Sequence, residues 1–431
     1  MTGFRIRSLA FAAAIWAAGC GAAAAQAPAT DPTPIECPAS VGPSTLCLSG
    51  RDPDGAWYVI AMPAAWNRKL IVHAHGGPRT GDPEARDPLE DLDRFSVMVR
   101  EGYAWVGSTY RRGGYGVRMA AEDADNSRKA FWARFGRPDQ TILHGQSWGG
   151  NVAAKAQELY ALDPDGSRNY DGVLLTNGVL MGGTRAYQGR ADLRAVYQFY
   201  CRNHPSSEDG VYPVWQGLPR DARMTRAELR RRVVACTGLG ESERDRTADQ
   251  TRRLRDILAV TGIGEDELIA SLNWSTFLFQ DMVQLRLDGR NPFDNSRKVY
   301  SGSSDDAALN AGVERFRADP AAVAKLAYDA DLSGLIVTPT VSLHAIHDPT
   351  VSFTAEAAYA ETVARAGRSD LLVQAATDED QHSKLEDAGY LTVLHALQGW
   401  MDTGARPDPA GFQTQCLASA EAAKCRFVAS P

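Results

Sequence analysis

Ser147 stands in Gly145-Gln146-Ser147-Trp148-Gly149, with glycine at both second neighbours. Glycine there removes the Cβ atoms that would collide across a sharp strand-to-helix reversal, and such an elbow pushes the serine hydroxyl clear of the sheet. A hydroxyl so presented is a nucleophile for acyl transfer once a base takes its proton and an acid orients that base. His382 and His395 follow the last strand-like run. His382, after the polar loop Thr377-Asp378-Glu379-Asp380-Gln381, is the candidate base. His395 falls in the helical pattern Glu386 to Trp400 and is expected to be a partly buried helix residue. Asp348 follows the run Val341-Ser342-Leu343-His344-Ala345 and precedes Pro349, which stiffens its turn, so it is the candidate acid. Asp378, Glu379 and Asp380 share the loop of His382 and are expected to be solvated or supporting groups. The bland reading of the pentapeptide is a glycine-rich turn that merely joins a strand to a helix.

Acyl transfer also needs donors for the developing oxyanion. His73-Ala74-His75-Gly76-Gly77-Pro78 comes directly after a strand-like run, and consecutive glycines let backbone N–H groups approach a negative charge. The expected pair is Trp148 N–H with that of Gly76 or Gly77. His73 and His75 lie two apart on a strand and face one way, a spacing that would also suit a metal. No completing set of ligands follows downstream, so neither a metal nor a cofactor is expected.

These groups need a scaffold that brings strand ends together. Short apolar runs occur at Trp57 to Met62, Leu70 to Ala74, Ala104 to Ser108, Thr141 to His144 and Val173 to Thr176. Helical patterns alternate with them at Leu89 to Arg100, Ala120 to Phe135 and Val152 to Leu162. That alternation predicts an α/β chain with a mostly parallel sheet covered on both faces. From Met181 to Ser333 the sequence is helical, charged and aromatic, and strands resume at Thr340 to Ala345 and Leu371 to Ala375. A stretch of this length between strands of one sheet is expected to be an inserted helical cap, the alternative being an independent domain. The expected division is 1–27, an export signal; 28–180, the first part of the core; 181–333, the cap; and 334–431, the second part with a C-terminal extension.

The export signal rests on Arg5 and Arg7, the apolar stretch Leu9 to Ala18 and the cleavage-like Ala25-Gln26-Ala27. A second reading takes Ala17-Ala18-Gly19-Cys20 as a lipobox, leaving a lipid anchor at Cys20; either way no transmembrane segment is expected in the mature chain. Of the seven cysteines, six then remain, and proximity favours Cys37 with Cys47, Cys201 with Cys236 and Cys416 with Cys425. No C-x-x-C spacing occurs. A formal net charge of -7 gives no electrostatic reason to expect nucleic acid, and Arg230-Arg231-Arg232 alternates with acids as a solvated helix face would.

Taken together, His75-Gly76-Gly77-Pro78, Gly145-Gln146-Ser147-Trp148-Gly149-Gly150, Asp348 and His382 resemble the α/β-hydrolase superfamily, from roughly Trp57 to Gly404 with the cap interrupting. The HGGP and S-W-G-G pieces are also similar to the proline iminopeptidase branch of serine peptidases, although Arg79 stands where that branch has another glycine. The resemblance implies an α/β-hydrolase fold and an exported serine hydrolase, with no cofactor. The leading expectation is cleavage of a carboxylic ester in a small or short oligomeric substrate through an acyl-enzyme. An aminopeptidase or oligopeptidase would use the same residues plus a cap carboxylate such as Glu314 or Asp319. A third reading is a non-catalytic binding protein at the cell envelope. Arg111 and Arg112 sit in a loop at a strand end, where they would bind a substrate carboxylate or serve structure.

Overall fold

A computed structural model describes residues 30–429; the expected export signal and Cys20 lie outside the described residues. The apolar runs become strands because β-branched and aromatic side chains fit a pleated surface buried on both faces. The strands are β1 (Thr30–Ile35), β2 (Thr45–Arg51), β3 (Trp57–Pro63), β4 (Lys69–Ala74), β5 (Ala104–Ser108), β6 (Gln140–Gln146), β7 (Gly172–Thr176), β8 (Thr340–Ala345), β9 (Leu372–Thr377) and β10 (Phe427–Val428). They form one sheet in the order β1-β2-β3-β5-β4-β6-β7-β8-β9-β10. From β5 to β9 all pairs are parallel, while β1, β2, β3 and β10 pair antiparallel at the two margins.

Alternation along each strand sends side chains to two cores. Leu70, Val72 and Leu143 pack with Val152 and Phe131 of the helices Trp148–Tyr160 and Val117–Phe135. Ile71, Ile142 and Leu174 face the opposite way, against Leu92, Phe95, Leu394 and Leu397. Both faces are covered, as the helix-flanked parallel sheet requires. The expected fold class is therefore met, including the large helical insertion.

Two strands lack an unbroken apolar run of their own. β1 is largely exposed and carries Pro34, and β2 ends in Ser49-Gly50-Arg51. They are strands because β2 pairs along its length with β3 and β1 in turn pairs with β2, not because their sequence is strand-like.

Between β7 and β8 the described residues hold helices and no strand. Their aromatics pack inward: Tyr197 and Phe279 are fully buried, and Tyr187 stacks on Trp274 with ring centres 5.5 Å apart. The insertion is fastened to loops at the carboxyl ends of the sheet strands. Asp281 accepts from the Tyr115 N–H at 2.6 Å, Arg286 donates to the Gly113 carbonyl at 3.0 Å, and Arg190 donates to the Thr350 carbonyl at 2.9 Å. The solvated reading of Arg230-Arg231-Arg232 needs a correction at Arg232, which is half-buried and bonded to Asp209, Glu228 and the Asn203 carbonyl. Disulfides join Cys37 to Cys47, Cys201 to Cys236 and Cys416 to Cys425, the pairs that proximity favours. Among the described residues no helix is long and apolar enough to cross a membrane.

Candidate active site

β6 ends at Gln146 and a helix starts at Trp148, leaving Ser147 to make the whole reversal at φ 58° and ψ -126°. A side-chain-bearing residue rarely adopts that backbone, and strain of this kind gathers at functional turns. Close approach on both sides requires the flanking glycines. A Cβ on Gly145 would lie 2.2 Å from the Gly149 carbonyl oxygen, and one on Gly149 would lie 2.1 Å from that of Ala74. The Ser147 N–H donates to the Thr176 carbonyl at 3.0 Å, and its own carbonyl accepts from Val179 at 2.9 Å.

His382 Nε2 lies 2.7 Å from Ser147 Oγ, and His382 Nδ1 lies 2.7 Å from Asp348 Oδ2. An ionised carboxylate only accepts, so Nδ1 carries the proton and Nε2 is left to accept from the serine hydroxyl. Asp348 is buried, and its other oxygen accepts from the Thr350 and Val351 N–H groups at 2.7 and 2.9 Å. The structure thus brings together three residues that are 201 and 34 positions apart in the chain, at the ends of β6, β8 and β9.

Two amides that sequence reasoning passed over hold the base in place. The His382 carbonyl accepts from Gln146 Nε2 at 3.0 Å and from Asn177 Nδ2 at 2.7 Å. Asn177 also accepts from the Ala345 N–H at 2.9 Å, so one side chain at the end of β7 links β8 to the histidine loop. The available signal was a polar residue ending each of two otherwise apolar runs.

Behind Asp348 lies a second overlooked pair. His344 of β8 is fully buried, with Nδ1 3.1 Å from Glu356 Oε1 and Nε2 3.0 Å from the Val351 carbonyl. With Glu356 ionised both partners are acceptors, which favours a proton on each ring nitrogen. Burial opposes that charge, but the Glu356 hydrogen bond and the Glu356 and Asp348 charges outweigh it and raise the histidine above its ordinary pKa. His344 Nε2 is 3.6 Å from Asp348 Oδ2, so the ring, when protonated, places a positive charge beneath the candidate acid.

The loop after β4 meets the elbow directly. A Cβ on Gly76 would sit 2.4 Å from Gln146 Oε1 and 3.2 Å from Ser147 Cβ, and Gly77 turns the chain away at φ 69°. Trp148 is the first residue of its helix, where the N–H has no partner within the helix, and its indole is buried. Gly76 and Trp148 therefore lie beside Ser147, and Gly77 follows at the turn of the same loop.

His73 and His75 both approach Asp91, each with a ring nitrogen 3.8 Å from Oδ2, and His73 Nδ1 lies 2.9 Å from His144 Nδ1. Burial keeps these rings neutral, lowering His75 and His144 to about 3, and it pushes Asp91 up to about 6. Among the described residues no group of three or more His, Cys, Asp or Glu has the geometry to hold a metal ion.

The remaining candidates have partners within the protein. Arg111 is paired with Asp54, Glu122 and Asp123, and Arg112 donates to the Tyr115 carbonyl. Glu314 accepts from the Val214 N–H, and Asp319 caps the helix Pro320–Ala330. Glu379 accepts from the Glu386 N–H, and Asp380 is exposed. His395 is exposed, not partly buried: Leu394 and Leu397 take the inward face of its helix, and it reaches Glu101 at 3.3 Å.

No family model matches the chain. It is 28% identical over 121 residues to o-phthalyl amidase of Xanthobacter agilis, a match spanning 27% of this chain and a quarter of that protein's length. Lipase A of Candida antarctica superposes with a TM-score of 0.44 at 14% identity, covering 90% of this chain and 84% of that one. For an esterase of Aspergillus oryzae the values are 0.43 and 13%, covering 87% and 85%.

Proposed function

We propose that this protein is an exported serine hydrolase that cleaves carboxylic esters through an acyl-enzyme, with Ser147 as nucleophile, His382 as base and Asp348 as the orienting acid. The observation that carries this reading is the continuous path Ser147 Oγ, His382 Nε2, His382 Nδ1, Asp348 Oδ2 with both gaps at 2.7 Å. Ser147 Oγ attacks the carbonyl carbon while its proton passes to Nε2. Trp148 N–H and that of Gly76 or Gly77 hold the oxyanion, and each such donor is worth about 3 to 4 kcal/mol in the transition state. Collapse expels the alcohol, which takes the proton from Nε2. Water then attacks the acyl carbon, giving its proton to the same nitrogen, and the acid leaves as Oγ recovers a proton. Asp348 fixes the tautomer and stabilises the imidazolium throughout. Residues 181–333 act as a cap over the serine. The three disulfides support an oxidising compartment outside the cytosol.

Amide cleavage is the second reading, supported by the partial match to an amidase. An aminopeptidase would need a cap carboxylate for the substrate's amino group; Glu267, which also accepts from the Gly264 N–H, lines the cavity by the acid loop, whereas Glu314 and Asp319 are not among its lining residues. Fluorophosphonate labelling followed by parallel assays on p-nitrophenyl acyl esters and aminoacyl p-nitroanilides tests both. Labelling at Ser147 with faster ester turnover is expected. Folded protein that resists the probe would point to the non-catalytic reading.

A further inference from the structure

A cavity of about 350 Å³ lies between the insertion and the loop that carries Asp348. Its wall includes Val179, whose N–H holds the Ser147 carbonyl, and Thr350 and Val351, whose N–H groups hold Asp348. Ser147, His382 and Asp348 are not in its wall, but three wall residues hydrogen-bond the candidate nucleophile and acid through their backbone N–H groups.

Arg190, on the helix Gln188–Cys201, lines this cavity. Its guanidinium spends one N–H on the Thr350 carbonyl and rests 4.8 Å from the Trp274 ring centre. Five donors are available on that fork, and a carbonyl takes one of them. The fields of Glu267 and Asp348 reach Arg190, yet among the described residues it forms no ion pair, unlike Arg111, Arg232 and Arg286. An arginine half-buried against aromatic rings without a carboxylate partner is costly to keep unless something anionic completes it. The neighbouring Arg185 adds positive charge at the mouth of the cavity, although it also reaches Glu361 at 3.8 Å. Val179, Met181, Leu193 and Val351 supply apolar wall for the part of a ligand between its charge and its reacting carbonyl.

We propose that Arg190 binds a carboxylate on the acyl portion of the substrate, so that the preferred substrates are half-esters or half-amides of dicarboxylic acids. The proposal rests on the serine hydrolase reading. The planar fork suits bidentate contact with a carboxylate, which lysine does not reproduce.

The test compares mono-p-nitrophenyl glutarate with methyl p-nitrophenyl glutarate, which differ by one charge, on wild type, Arg190→Gln and Arg190→Lys. A second pair, 4-acetoxybenzoate and its methyl ester, places the carboxylate on the leaving group. Wild type is expected to favour the glutarate half-ester, and Arg190→Gln to cut the anionic-to-neutral ratio of kcat/KM roughly tenfold or more, mainly through KM, with partial rescue in Arg190→Lys. No preference in wild type, or an equal fall for charged and neutral esters in Arg190→Gln, would overturn the proposal and leave Arg190 as a tie to Thr350. A preference confined to the acetoxybenzoate pair would overturn the acyl-side placement. Fluorophosphonate labelling of wild-type Ser147 reports on the nucleophile separately. Calorimetry of monomethyl glutarate with Ser147→Ala, with and without Arg190→Gln, reads carboxylate binding even if turnover is absent; binding unaffected by Arg190→Gln would again refute the assignment.

Discussion

Two histidines flank Asp348, and each has a hydrogen-bonding partner on both ring nitrogens. His382 lies between a carboxylate and a hydroxyl; His344 lies between a carboxylate and a carbonyl. A hydroxyl can donate and a carbonyl cannot, so the first ring can rest neutral with Nε2 accepting from the hydroxyl, whereas the second is biased toward the imidazolium. Position follows the same division: the side chain of His382 is 13% exposed and that of His344 is fully buried. One partner atom thus separates the ring of the proposed base from a ring biased toward its cation beneath the proposed acid.

The sharpest way to break this comparison is to remove the hydroxyl. Ser147→Ala should abolish fluorophosphonate labelling and lower kcat by about 10⁶ while circular dichroism stays native. Asp348→Asn should leave the geometry but favour the wrong tautomer of His382, costing about 10⁴ in kcat, measured under saturating ester. Glu356→Gln attacks the other histidine. Leaving a buried ion without its partner should destabilise the fold by about 3 to 5 kcal/mol in urea denaturation. Because the native pKa of His344 is raised, its protonation stabilises the fold fully below the ordinary value and less as pH climbs through the native one. The gap between wild type and Glu356→Gln should therefore narrow with rising pH; a gap independent of pH would mean that His344 is not charged.

The neutral cluster under β4 sharpens the contrast through a gradual slope, with the smallest effect near neutral pH. His75 and His144 titrate near 3 in the native state, so unfolded chain binds more protons below the ordinary histidine value. Stability should fall as pH drops from about 6.5 toward 3, by up to ~1.4 kcal/mol per pH unit for each ring. His144→Asn should flatten that slope in acid-unfolding curves.

Sequence alone was sufficient wherever neighbours in the chain carry the physics. Gly145 and Gly149 announce the elbow because the clash they avoid is local, and the cysteine pairs sit close enough in the chain to be joined by proximity. Runs such as Leu70 to Ala74 declare themselves because burial on both faces demands unbroken apolar residues. Other features exist only through partners far along the chain. β2 is a strand by register with β3 and β1 by pairing with β2, Asn177 matters because β8 and the His382 loop converge on its amide, and the pKa of His344 is raised because Glu356 and Val351 face it. His395 shows the converse, since a helical pattern gives its element but only packing decides which face meets solvent. Sterics and hydrophobic period are written residue by residue, whereas the charge state and partners of a buried polar group are properties of the assembled fold.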